Sequence, residues 1–266
     1  MLRKRLIFTL LYADGQFMLS RNFRLQKVGD IKWLEKNYNF SNVAFFIDEL
    51  IVLDVSRTNR NFDAFCSSLS TISKGCFAPI SAGGGIKTLE QARKLLRSGA
   101  DKVVLNSALV ENIDLVQSLA EEFGQQCVVG SVDLKGTKPD NYEVCINNGS
   151  KICNTPRQEI FKWAKMGIVG EIYLNSMDRD GTGQGYDFGT LSILPDCDLP
   201  VIMAGGVGNS KHLIEGLNQN YVDGVATANL FNFVGDGLQK ARMKLKQEGI
   251  NLATWETNFL ALKANL

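Results

Sequence analysis

The sequence predicts an α/β fold, a single (β/α)₈ TIM barrel, and three observations predict it. Eight apolar runs of strand length alternate with amphipathic stretches, which is the pattern of parallel strands joined by crossover helices. The second half of the chain repeats the first: Glu49, Ala82 and Asp101 recur 122 residues later as Glu171, Ala204 and Asp223. Finally, 266 residues with 45% hydrophobic content suit one barrel of about 250 residues better than two small domains. A doubly wound open sheet would also alternate strands with helices, but gives no reason for two matching four-unit halves. The expectation is one domain over 1–266, with half-barrels at about 1–122 and 123–248 and a helical tail at about 249–266.

The first strand is expected over Arg5 to Leu11, ahead of Asp14-Gly15. Met1-Leu2-Arg3-Lys4-Arg5 leads into too short an apolar stretch for a signal peptide, and no run approaches a membrane span. The second strand is Glu49 to Val55 and the third Pro79 to Ala82, followed by an amphipathic helix over Leu89 to Leu96. The fourth is Lys102 to Asn106, followed by a helix over Asn112 to Phe123. The fifth, Cys127 to Asp133, precedes an alternating segment, Asn141 to Cys153, around Asn147-Asn148-Gly149, which reads as an inserted hairpin on the rim. A helix over Gln158 to Lys165 leads to the sixth strand, Glu171 to Asn175; the seventh, Pro200 to Ala204, precedes a helix over Asn209 to Leu217. The eighth is Asp223 to Thr227. In the tail, Trp255, Phe259, Leu260 and Leu262 have near-helical spacing, as a helix on the barrel or as a partner contact.

Composition limits the function classes. With 29 basic and 28 acidic residues no net field draws the chain to nucleic acid or membrane, which favours a small, locally recognised ligand. Six scattered cysteines without CxxC or histidine spacing suggest neither zinc nor disulfides, and a reducing cytoplasm fits. No metal and no cofactor are expected.

Active sites of such barrels lie at the carboxyl ends of the strands. There, Gly84 and Gly85 after strand three with Asn106 and Ser107 after strand four suggest a phosphate cradle, since glycine lets backbone N–H groups approach an anion. The second half offers a matching set: Asp180 and Gly181 after strand six, Gly205 and Gly206 after strand seven, and Ala228 and Asn229 after strand eight. Facing cradles imply a ligand with two phosphates. Asp54, Asp133, Asp178 and Asp180 supply rim carboxylates, and Asp133 is the best acid-base candidate, against a reading in which it only orients a loop. His212, the single histidine, reads as a solvated helix residue.

Asp14-Gly15, Asp48-Glu49-Leu50, Gly83-Gly84-Gly85-Ile86, Gly99-Ala100-Asp101-Lys102-Val103, Ser176-Met177-Asp178-Arg179-Asp180-Gly181-Thr182 and Gly185-Tyr186-Asp187 together resemble the HisF-like cyclase subunit of imidazole glycerol phosphate synthase over residues 1 to about 250. The resemblance implies a HisH-like glutaminase subunit bound below the barrel, ammonia passing through its interior, and a bisphosphorylated ribonucleotide-like substrate above. It implies a charged gate at Arg5, Glu49, Lys102 and Glu171, which could equally be a structural salt-bridge ring, and paired catalytic aspartates at the ends of strands one and five. Asp133 matches the second. Leu11 replaces the first, Leu19 stands at a usually basic position, and Ala204 and Asn175 stand at usual hydroxyl positions.

A kept gate beside an altered top resembles the diverged paralogues of sugar-modification gene sets. This implies ammonia delivery for glutamine-dependent amidation, forming an acetamidino group on an activated sugar with a separate sugar amidotransferase. Two alternatives remain: a cyclase-lyase of histidine biosynthesis that relies on Asp133, and a non-catalytic scaffold that binds a phosphorylated small molecule and regulates the glutaminase.

Overall fold

Branched and aromatic side chains fill the eight predicted runs, and each run becomes a strand of one closed parallel sheet. A computed structural model describes residues 3–38, 45–138, 141–155, 157–228 and 236–254. In chain order the barrel strands are β1 (Arg5–Ala13), β4 (Glu49–Asp54), β5 (Ile80–Gly83), β6 (Lys102–Leu105), β7 (Val128–Lys135), β10 (Glu171–Ser176), β11 (Val201–Ala204) and β12 (Gly224–Thr227). Each pairs in parallel with the next, and β12 closes onto β1 through Arg5 opposite Gly224. Closure leaves no exposed barrel edge to template association.

Alternation along each strand divides the core. Ile7, Ile51, Val104, Val129, Tyr173, Ile202, Ala204 and Ala226 point into the barrel and form one cluster. Their neighbours Leu6, Phe8, Leu50, Val52, Val103, Val128, Ile172 and Val201 point outward into the layer beneath the helices.

The helices are α1 (Ile31–Tyr38), α2 (Phe62–Gly75), α3 (Leu89–Arg97), α4 (Ala108–Glu111), α5 (Ile113–Phe123), α6 (Arg157–Ile160), α7 (Ser210–Leu217) and α8 (Gly237–Gln247). Local chemistry starts several of them: Asn61, Thr88, Asn112 and Asn209 each accept a bond from a first-turn N–H. The helix expected over Gln158 to Lys165 is instead broken into α6 and a 3₁₀ turn at Lys162–Lys165. Trp163 is fully buried there against Phe161 and beside Gly130, so packing of the indole overrides the helical period. The expected hairpin is present as β8 (Glu143–Ile146) and β9 (Lys151–Ile152), with Asn147 and Asn148 at positive φ in its turn.

A second hairpin, β2 (Gln16–Arg21) with β3 (Arg24–Gly29), adds to the eight expected strands. Its signal lies in the sequence nonetheless: Asp14-Gly15 and Asn22-Phe23 both take positive φ, so each makes a tight reversal. Both tips come over the barrel's carboxyl end. Arg57 Nη2 donates to Phe23 O at 2.6 Å, and Asn148 Nδ2 donates to Val55 O and Ser56 O, each at 3.2 Å. The tail residues Trp255, Phe259, Leu260 and Leu262 lie outside the described residues. Among the described residues, no helix is long and apolar enough to cross a membrane.

Candidate functional site

A cavity of about 1040 Å³ opens at the carboxyl ends of the strands, beneath the two hairpins. Its floor joins opposite strands, β1 and β7, and its two sides are chemically unlike. On one side Leu11 of β1 lies in register with Leu53 of β4; 122 residues later Asp133 of β7 lies in register with Asn175 of β10. One half therefore lays an aliphatic pair where the other lays a carboxylate and an amide. Leu19, from β2, adds a further apolar wall.

The four rim aspartates divide by what already binds them. Asp54 is buried, accepts from Ser56 N at 2.9 Å and pairs with Arg60 Nε at 3.1 Å. Asp178 accepts from Gly136 N at 2.6 Å, which fixes the loop after β7. Asp180 accepts from Ser20 Oγ and from Phe23 N at 3.0 Å, so its side chain fastens the first hairpin and does not face a phosphate. Asp133 alone lies on the cavity floor with two neutral amide donors, Asn175 Nδ2 at 3.0 Å and Asn106 Nδ2 at 3.3 Å. Burial pushes its carboxyl up to about 7; the Asn175 bond pulls it down and the charge of Asp180 pushes it further up. A carboxyl at that value can give or take a proton near neutrality.

The cradle residues come together only in part. Gly84 and Gly85, after β5, and Gly205 and Gly206, after β11, line opposite sides of the cavity, joined by the backbone of Gly181 and Ala228. Close approach requires glycine at two repeat-related positions. A Cβ on Gly84, at φ +122°, would fall 2.2 Å from Asp54 O, and one on Gly206, at φ +102°, would fall 2.1 Å from Gly185 O. The side chains of Asn106 and Ser107, by contrast, are committed to protein. Asn106 donates to Asp133 and Ser131 O, and Ser107 Oγ exchanges bonds with Asn147 in the second hairpin. Asn229 lies outside the described residues. Nor is His212 simply solvated, because Gly208 N donates to its Nδ1 at 3.1 Å and its ring packs beside Gly185, bracing the glycine loop.

At the opposite end, Arg5, Glu49, Lys102 and Glu171 form a closed ring. Arg5 bonds Glu49 at 2.8 Å and Glu171 at 2.6 Å, while Lys102 bonds Glu171 and lies 3.3 Å from Glu49. Ser81 Oγ completes the shell of Glu49. Burial alone would raise the Glu171 carboxyl, but Arg5 and Lys102 outweigh it and hold it below the usual range; the same pairing raises Arg5 against its own burial. Between ring and cavity lies the apolar barrel interior of Ile7, Ile51, Val129 and Ile202.

Sequence reasoning missed Arg60 at the cavity. It sits beyond the strand end, and its counterpart 122 residues later is Thr182, so neither the motif nor the repeat marked it. Among the described residues no cluster of histidine, cysteine, aspartate and glutamate could hold a metal ion.

Comparison with known proteins gives two findings. The profile of a family described as histidine biosynthesis protein matches residues 27–235. A protein of Parasynechococcus marenigrum (strain WH8102), provisionally named imidazole glycerol phosphate synthase subunit hisF2, is 44% identical over 257 residues, covering 96% of this chain and 95% of its own length.

Proposed function

The chain belongs to the histidine biosynthesis protein family, among relatives of the imidazole glycerol phosphate synthase subunit type, and from that premise we propose that it conducts ammonia rather than closing a ring. It docks a glutaminase at the Arg5–Glu49–Lys102–Glu171 end and releases ammonia at the cavity for amidation of an activated sugar, giving an acetamidino group with a separate sugar amidotransferase. The observation that carries this reading is the contrast between ends: a complete charged ring below, and Leu11, in register with Leu53, where the second acid-base carboxylate would stand.

The physical logic is one of charge. Ammonium cannot enter the Ile7, Ile51, Val129 and Ile202 layer without a large desolvation cost, whereas neutral ammonia can. At the far end a missing acid-base group costs about 10²- to 10⁴-fold in rate, which supports loss of ordinary cyclase activity.

Reconstitution with the cognate glutaminase and sugar amidotransferase tests the reading. Omitting this chain is expected to abolish glutamine-dependent product while added ammonium salt still supports it; unchanged glutamine-dependent product would exclude it. A second reading, a slow cyclase-lyase, draws support from the poised carboxyl of Asp133. Complementation of a histidine-requiring strain lacking its cyclase would favour that reading.

A further inference from the structure

The two glycine cradles differ in one respect that bears on what they hold. Every cation lining the cavity among the described residues comes from the first half of the chain: Arg21, Arg24, Arg57, Arg60 and Lys87. Arg179, the counterpart of Arg57, instead donates outward to Gln184. Arg60 is the most fixed of the five. Its Nε pairs with the buried Asp54 at 3.1 Å, and its Nη2 donates to Ser56 O at 2.8 Å and Asp54 O at 3.3 Å. These contacts leave Nη1, which lies so close over Gly85 that a Cβ there would stand 1.6 Å from it. Asp54 lies beneath the guanidinium and is fully buried, so the pair turns its positive end toward the Gly84-Gly85 loop. A guanidinium already held on two nitrogens loses little freedom when its remaining nitrogen, Nη1, donates to an oxyanion, and its charge persists at any ordinary pH.

We propose that Arg60 makes the Gly84-Gly85 side the dominant anion subsite, and that the ligand is correspondingly asymmetric. Its phosphate occupies the Arg60 end, and the part that reaches Gly205-Gly206 is held by backbone donors without a cation. A sugar phosphate charged at one end fits this cavity better than a symmetric bisphosphate. The inference rests on the reading of the cavity as a phosphate site and sharpens it by naming the specificity-determining residue.

Titration of the full chain with inorganic phosphate, followed by the amide resonances of Gly84, Gly85, Gly205 and Gly206, tests it. In the wild type the Gly84 and Gly85 signals are expected to reach their midpoint at a phosphate concentration at least about tenfold lower than those of Gly205 and Gly206. Arg60→Gln alone would strand the buried Asp54 charge, so the double variant Asp54→Asn/Arg60→Gln is the cleaner probe. It is expected to raise the Gly84 and Gly85 midpoints severalfold while Gly205 and Gly206 titrate as before, the remaining difference being owed to Arg21, Arg24, Arg57 and Lys87. Equal midpoints in the wild type, or an unchanged first cradle in the double variant, would overturn the role of Arg60. No response from either pair in the wild type would instead overturn the phosphate reading, and this inference with it.

Discussion

Asp133 is the carboxyl that lies on the cavity floor between two amide donors, Asn175 and Asn106. In the folded chain its carboxyl rises to about 7, from an ordinary value near 3.8, chiefly through burial. Between those values the folded state holds a proton that the unfolded chain has released, so stability from this group is intact below about pH 4 and declines as pH rises toward 7. Asp133→Asn is therefore expected to flatten that decline, by roughly 1–3 kcal/mol between pH 4 and pH 8. Urea unfolding across that range measures it; parallel profiles for wild type and variant would show that the carboxyl is not perturbed. The position of Asp133 near the carboxyl end of a strand is legible from the sequence, although the strand runs two residues beyond it. Its pKa is not, because that depends on burial and on Asn175 and Asp180, which come from the distant β10 and the loop after it. The same holds for Asn106, Ser107 and Asp180: strand-end placement brings them to the rim, but neighbours decide where each side chain points.

At the level of elements, the informative unit is the strand pair. Leu11 is not an isolated replacement, since β1 sets it opposite Leu53, just as β7 is set opposite β10 at Asp133 and Asn175. Leu11→Asp alone would place a carboxylate opposite the aliphatic side chain of Leu53, where Asp133 has an amide, and is expected to cost roughly 1–3 kcal/mol. Adding Leu53→Asn supplies the amide that Asn175 supplies to Asp133, and is expected to recover about 1 kcal/mol in a double-mutant cycle read by denaturant unfolding. Additive costs would show that the register partner does not matter. Most elements can be read from apolar period, including all eight barrel strands. The β2–β3 hairpin and the broken helix at Arg157–Lys165 cannot be read that way. The hairpin is half solvated and finds its place through Asp180 and Arg57, and the helix yields to burial of Trp163.

Over the whole molecule, the charged ring and the cavity stand at opposite ends of one closed barrel. The ring draws on both halves: the repeat supplies Glu49 and Glu171, while Arg5 and Lys102 have no charged counterparts 122 residues on. Glu171→Gln would leave Arg5 and Lys102 sharing one carboxylate in a largely buried setting. It is expected to destabilise the fold by about 2–4 kcal/mol and to weaken glutamine-dependent ammonia transfer. Thermal unfolding and a glutaminase-coupled assay measure the two effects, and a variant as stable as wild type would mean that the ring is not mutually compensated.

The sequence by itself determined the barrel, the order of its eight strands and the asymmetry of Leu11 against Asp133. Period, length and an internal repeat are local or linear properties, and they survive without knowledge of contacts. Only the tertiary structure decided which polar groups are free to act. It committed Asp54, Asp178 and Asp180 to structural partners, left Asp133 poised, closed the four-charge ring, and brought Arg60 over Gly85. Protonation and anion affinity depend on neighbours a few ångströms away in space, and closure of the barrel is what brings those neighbours together from distant parts of the chain.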